Sequence, residues 1–305
     1  MDIRQEEASA AGRTFVVSQL ECVRDEAHVR DADCAFRVSW VINPHMRVGP
    51  VDMTAAYEEH RVLREAMRRE GATLIELPFV HGAFDSVFAK DNALLVERGG
   101  RRRALLASYL HGERGQEQRM RAVALEAQGF ELHGPPSVHF EGGDVAMLPE
   151  GQGLLLGHGQ RSDVRTAVEL ERFLEVPVTP LELTDPALYH LDVALTVLED
   201  GTALVYPEAF TRESFLRLER APGIRRIVPI PRDEALRFSL NMVECGRSVL
   251  IPCRAPVTEQ AVRDAGKQPV HVPLEQFHLG GGSAACLVAA VHRLERPVPS
   301  ALTRG

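Results

Sequence analysis

Several things are scarce in this chain, and each scarcity excludes something. Lysine is almost missing: of 35 basic residues only Lys90 and Lys267 are lysines. The arginines are dispersed, apart from Arg101-Arg102-Arg103 in a turn-like GGRRR segment, and the formal net charge is -8. That pattern excludes a basic stripe for nucleic acid. Apolar runs are short. The longest, Ala284–Val291, has eight residues, against the roughly 20 needed to cross a bilayer, so no membrane partner is expected. The opening MDIRQEEASAAGR holds no apolar stretch of signal-peptide type, and a cytoplasmic protein is expected. The five cysteines, 22, 34, 245, 253 and 286, show no CxxC spacing, which argues against a disulfide framework or a zinc knot. No Ser/Gly-rich linker or composition shift divides the chain. What is present, 305 residues at 45% hydrophobic and 26% charged, suits a globular protein with a real core. One domain over residues 1–305 is expected, with the N-terminal ~35 residues peripheral or closing the structure on itself.

The chain has a structural period of about fifty residues. Short strand-like runs recur at Thr73–Leu77, Phe130–His133, Val176–Leu183, Arg226–Ile230 and Val270–Leu274. Each follows a helix-like segment: Thr54–Arg69 with Thr54 as N-cap and Gly71 as terminator, Gln116–Gln128, Asp163–Leu174, Arg212–Arg220 and Glu259–Ala265. After each strand a polar residue opens a new apolar strand. Four openings read as hairpins, beginning at Asp91, Glu141, His190 and Asn241, with Asp200-Gly201 as the strongest turn signal. The fifth, Cys286-LVAAVHRLE, lacks a second arm, which a strand at Arg37–Ile42 can supply. From Asp91 the successive spacings are 50, 49, 51 and 45 residues. Such units argue for one cyclic α/β domain. A doubly wound sheet would need parallel crossovers, which the hairpins oppose.

In a cyclic arrangement equivalent positions converge. Here they hold Asp91, Glu141, His190, Asn241 and Cys286: a nucleophile, a base, a carboxylate to orient it and a further carboxylate. His190 and Asp192, two apart on a strand, would share a face. Each residue has a plainer reading. A lone cysteine is usually a small core hydrophobe, but the preceding Gly280-Gly281-Gly282-Ser283 permits close backbone approach. Asp91 can simply start a strand, and Asp144 and Asn241 read as structural.

Together these stretches resemble the guanidino-group-modifying enzymes, the pentein superfamily of arginine deiminases, dimethylarginine dimethylaminohydrolases and amidinotransferases. The resemblance lies in FDSVFAKDNALLV (84–96), HFEGGDV (139–145), GHGQRSD (157–163), YHLDVALTVLEDGTALVYPEAF (189–210) and GGGSAACL (280–287), with INPHM (42–46) matching a loop of the hydrolase branch. It implies a five-bladed α/β propeller of pseudo-fivefold ββαβ units. It also implies Cys286 as nucleophile, His190 as general acid/base with Glu141 as its partner, and Asp91 and Asp192 gripping the guanidinium. Arg161 and Arg114 would bind a substrate carboxylate, and Asn43 would lie in the substrate-facing loop. No metal or organic cofactor is implied. The expected reaction is hydrolysis of an arginine-type guanidinium to citrulline or ornithine plus ammonia or amine.

Departures from family patterns narrow the branch. Amidinotransferases typically carry Asp where Glu141 stands, which favours hydrolysis. Dimethylarginine hydrolases lack a carboxylate two places after the histidine, so Asp192 favours a less substituted guanidine such as arginine; INPHM also resembles arginine dihydrolases. The rivals are an amidinotransferase, a non-catalytic propeller that binds arginine-like ligands, and a metallohydrolase using His139, Glu141, His190 and Asp192. Monomer and homo-oligomer both stay open.

Overall fold

The computed structural model describes residues 12–22 and 32–294. It is an α/β structure with one six-stranded sheet and three of three strands. Strand β1 (Thr14–Ser18) is buried along its whole length. Helix α1 (Met53–Arg69) leads to β2 (Thr73–Leu77), which runs parallel to β1. The helix is capped by Asp52 and not by Thr54: the Asp52 carboxylate accepts from the backbone N–H groups of Thr54 (2.9 Å) and Ala55 (3.1 Å).

The same order then repeats. β3 (Ala93–Arg98) and β4 (Arg101–Leu106) form a hairpin, α2 (Gly115–Ala127) follows, and β5 (Glu131–His133) returns parallel to β4. Next come β6 (Val145–Met147), β7 (Leu154–His158), α3 (Thr166–Leu174) and β8 (Val178–Glu182). Then β9 (Leu195–Val197), β10 (Thr202–Val205), α4 (Arg212–Glu219) and β11 (Arg226–Pro229). Last are β12 (Val243–Cys245), β13 (Ser248–Ile251), α5 (Pro256–Asp264) and β14 (Gln268–His271). The final strand, β15 (Val288–Arg293), pairs antiparallel with β1 and parallel with β3, so β15, β1 and β2 complete a unit that shares the six-stranded sheet with β3–β5.

The local chemistry explains this order. Asp200-Gly201 makes its turn with Gly201 at φ +85°, and the Asp200 carboxylate accepts from Thr202 N–H at 2.8 Å. Pro256 starts α5 three residues earlier than Glu259, because its missing N–H costs nothing in a first helical turn. The returning strands β8, β11 and β14 each contain a proline, at 180, 229 and 269, and each lies at a sheet edge where no second ladder needs that N–H.

One expectation needs correction. The arm that completes the last unit is Thr14–Ser18, not Arg37–Ile42, which has no strand and makes only an isolated bridge from Val38 to Gly49. TFVVS is a continuous apolar run that can be covered on both faces, whereas RVSWVI alternates without a ladder partner. The described part of the N-terminus is therefore core, with Phe15, Val16 and Val17 at most 2% exposed. Phe15→Ala is expected to cost about 3–5 kcal/mol in urea unfolding; a loss below about 1 kcal/mol would make this strand peripheral after all.

Candidate active site

Four of the five converging residues sit in or beside a short helical turn that leads into the first strand of a unit, and Asn241 sits in a bend at the same point. Asp91 lies in the turn Ala89–Asn92, which the Asn92 side-chain amide closes by donating to Phe88 O (3.2 Å) and Ala89 O (2.9 Å). Glu141 precedes Gly142–Asp144, His190 precedes Leu191–Ala194, and Cys286 lies within Ala284–Leu287. These turns overturn the expected strand alternation at His190 and Asp192. His190 is extended, Asp192 is helical, and the strand starts only at Leu195. Asp144 is structural, as expected: its carboxylate accepts from Ser162 N–H (3.0 Å) and Leu191 N–H (3.1 Å), and burial pushes it up to about 6.

One half of the site is built on His190, which is 1% exposed. Its Nε2–H donates to Glu141 Oε2 at 3.0 Å. Its Nδ1 faces Asp91 Oδ1 across 3.7 Å, and both of these buried atoms lack a hydrogen-bond partner. Burial disfavours a charged imidazole, but Asp91, Asp144 and Glu141 outweigh it and raise His190 to about 9. Glu141 is also buried, yet the His190 hydrogen bond and the Arg161 and Arg114 cations hold it well below the usual carboxylate range.

The other half is built on Cys286. Its S–H lies 3.7 Å from Asp192 Oδ2, and the Asn241 side-chain amide donates to Sγ at 3.2 Å. Lys90 Nζ sits 3.0 Å from the same Asp192 oxygen. Burial, then the Asp192 and Asp91 carboxylates, raise the thiol well above its ordinary value, so it rests protonated. Asp91 thus acts electrostatically on both halves.

Arg114 departs from expectation. It donates through Nη1 to Asp91 Oδ2 (2.6 Å) and through Nε and Nη2 to Glu117 (2.9 and 2.7 Å), so it is an internal counter-ion and not a free carboxylate binder. Buried Asp91 and Glu117 need that charge. Arg161 is likewise engaged, donating to Ile42 O, lying 3.5 Å from Glu141 Oε2 and stacking 4.9 Å from the Tyr189 ring centroid. Asn43 reaches the glycine loop that precedes Cys286: an added Cβ at Gly281, which has φ +81°, would fall 2.2 Å from its Oδ1. The metal set His139, Glu141, His190 and Asp192 does not assemble. His139 is exposed, and the ligand atoms that come within 4.8 Å of one another belong to Asp91, Glu141 and His190, among which Arg114 and Arg161 already supply positive charge.

Sequence reasoning missed Lys90, whose signal was its rarity and its place beside Asp91. It also missed Asp85, held by Trp40 Nε1–H at 2.6 Å and pushed up to about 6 by burial, and Tyr189, whose hydroxyl donates to Gly281 O at 2.7 Å.

Two outcomes follow from this geometry. An added Cβ at Gly143 would lie 2.4 Å from His190 Nδ1 and 2.8 Å from Asp91 Oδ1. Gly143→Ala should therefore lower kcat/KM at least ~100-fold, as expected when a reacting group is displaced by about an ångström; near-normal turnover would place the reacting group elsewhere. His190 is raised above its unfolded value, so the charged imidazole stabilises the fold fully below pH ~6.5 and this contribution is lost as pH rises through about 9. The stability deficit of His190→Gln in urea unfolding should accordingly shrink between pH 6.5 and 9.5. A pH-independent deficit would contradict the charge assignment.

The sequence profile of the family described as N,N dimethylarginine dimethylhydrolase, eukaryotic, matches residues 49–293. The N(G),N(G)-dimethylarginine dimethylaminohydrolase of Mycobacterium tuberculosis is 32% identical over 258 residues, covering 84% of this chain and 83% of that protein. The bifunctional arginine dihydrolase/ornithine cyclodeaminase AgrE of Nostoc is 28% identical over 84% of this chain, which spans only 36% of that longer protein. The structure of AgrE in ternary complex with ornithine and NAD+ superimposes with a TM-score of 0.83 at 27% identity, covering 94% of this chain and 40% of that one. With its profile match running through nearly every unit of the fold, the chain belongs to the N,N dimethylarginine dimethylhydrolase family.

Proposed function

We propose that this protein is a cysteine-dependent hydrolase of the guanidinium group of arginine or an N-substituted arginine, with Cys286 as nucleophile. The observation that carries the reading is the pair of facing, unpartnered atoms His190 Nδ1 and Asp91 Oδ1, on a site whose other half presents Cys286 beside Asp192. The first pair suits a departing amine and the second suits the attacked carbon. A guanidinium is planar and cationic, and two carboxylates hold such a plane through charge-assisted hydrogen bonds. Its arrival also offsets the negative charge that keeps the thiol protonated, so substrate binding favours the thiolate.

The thiolate then adds to the guanidinium carbon, forming the C–S bond. The tetrahedral adduct breaks its C–N bond, and His190 gives the Nδ1 proton to the departing amine, leaving an S-alkylthiouronium on Cys286. Neutral His190 next takes a proton from water, whose oxygen adds to the same carbon. Cleavage of the C–S bond expels the thiolate, the adduct's hydroxyl proton passes to the sulfur to restore the thiol, and a ureido product is released. Glu141 fixes the ring through Nε2 and favours its charged form. A second hydrolysis at the ureido carbon would carry the product on to ornithine. Asp192 beside the sulfur favours arginine over a doubly methylated guanidine, because it fills the space that methyl groups need and binds N–H groups.

The further reading of the fold is a five-bladed propeller formed by a single domain. It is supported by four ββαβ units in identical order, by a fifth assembled from β15 with β1, α1 and β2, and by the bonding of β15 to both β1 and β3.

Mass spectrometry of enzyme quenched during turnover of arginine should find an adduct on Cys286, with citrulline or ornithine and ammonia as products. Full turnover by Cys286→Ser would overturn the assignment, and amidino transfer to an added amine in preference to water would make it an amidinotransferase. Because protonated His190 is the acid, kcat/KM should fall above about pH 9. Glu141→Gln removes one of the carboxylates that raise His190, so its descending limb should move to lower pH. Asp192→Asn should weaken turnover of arginine more than of a dimethylated arginine; equal losses would remove the preference for arginine.

A further inference from the structure

We infer that Asn241 is a catalytic residue, whose side-chain amide donates a hydrogen bond to the Cys286 sulfur and supports its thiolate. The inference rests on Cys286 being the nucleophile. Asn241 is fully buried, and its three side-chain contacts all involve the nucleophile's surroundings. Oδ1 accepts from the Cys286 backbone N–H at 3.2 Å. Of the two Nδ2 protons, one goes to Asp192 O at 3.2 Å and the other to Cys286 Sγ at 3.2 Å.

This set fixes which way the amide faces. A flipped amide would aim its nitrogen at the Cys286 N–H, a donor against a donor. It would also aim its oxygen at the Asp192 carbonyl and at the sulfur lone pairs. The backbone of the nucleophile therefore orients the donor that serves the nucleophile. Asn241 O in turn accepts from Ala285 N–H at 3.2 Å, so the bend and the Cys286 turn are tied at both main-chain and side-chain level.

The sulfur needs such a donor. Asp192 and Asp91 face it with negative charge, Tyr189 adds a buried neutral hydroxyl nearby, and the Lys90 ammonium is already engaged by Asp192. The Ser283 backbone N–H and, from beyond Asp192, the Lys90 charge favour the thiolate, and the Asn241 amide is the side chain that donates to the sulfur directly. A hydrogen bond to an ion is stronger than one to the neutral form, so an N–H directed at sulfur lowers the thiol's pKa. The amide carries no charge, so it gives this help without repelling an incoming guanidinium. A lysine at the same place would repel it.

The test needs no substrate. The rate of alkylation of the full-length protein by iodoacetamide, with Cys286 occupancy read by mass spectrometry at fixed pH values between about 7 and 9, reports the thiolate fraction. Asn241→Leu is near-isosteric and uncharged, and Asn241→Ala removes the side chain. Both should slow alkylation of Cys286 about 10- to 100-fold at each pH, the change expected when a thiol loses a donor to its thiolate. A purely structural role predicts lower melting temperatures with an alkylation rate that is unchanged or faster, and that result would overturn the inference. Should neither variant fold, wild-type protein labelled with 15N-asparagine decides: the Asn241 side-chain amide resonance should move when Cys286 is alkylated, and its indifference would refute the contact. Turnover by Cys286→Ser tests the parent reading separately, since an unchanged alkylation rate can coexist with a covalent adduct on wild-type Cys286.

Discussion

The buried ionic chain through Glu141 is the constraint on which the rest of the site depends. Glu141 holds the His190 N–H and faces Arg161 and Arg114; Arg114 passes on to Asp91 and Glu117. All of these groups are buried, at most 6% exposed, so each charge is tolerable only because its neighbours carry the opposite sign. Taking out one member leaves its partner charged and stranded. This explains why Arg114 faces inward. Three carboxylates and one imidazole cannot be packed together without it.

The same chain divides the chemistry into two electrostatic settings. Carboxylates on every side keep His190 charged, ready to give a proton. At Cys286 the effect is opposite: burial and then the neighbouring carboxylates keep the thiol neutral. One set of negative charges therefore keeps the imidazole charged and helps to keep the thiol neutral. On the proposed mechanism a planar cation would offset that charge, and selectivity for a guanidinium would follow from the resting charge balance as much as from shape.

Much of this could be read from the residues, and what could not has physical reasons. The fifty-residue spacing located Asp91, Glu141, His190, Asn241 and Cys286, and each lies at the entrance to a unit's first strand. The helices came out within a turn of their expected ends, because caps and breakers are local. The turns before the strands escaped, since three or four residues carry no periodicity to distinguish a helical turn from a strand's beginning. The arm at Thr14–Ser18 escaped because its partner β15 lies at the other end of the chain, and only tertiary pairing selects it over Arg37–Ile42. Arg114 was matched by type and position, but its inward role depends on Glu117 and Asp91 closing around it. Asn241 looked structural for the same reason: an amide reveals its function only through what lies at its two ends.

Absent side chains matter as much as present ones. Gly143 leaves room for the His190 ring and the Asp91 carboxylate to face each other, and Gly142 lets the turn approach to where a Cβ would lie 2.0 Å from Lys90 O. Backbone cannot yield to such a contact as a flexible side chain can, so the turn that follows Glu141 must be glycine for Lys90 and Asp91 to sit where they do. Gly281, on the Cys286 side, is required for a different reason: its backbone is left-handed at φ +81°, and the Asn43 side chain lies where a Cβ would be. The glycine-rich runs after Glu141 and before Cys286 thus serve the same end: both halves of the site are built where segments distant in the sequence touch. That arrangement needs the units to converge, and it is why residues so far apart in sequence can share one set of charges.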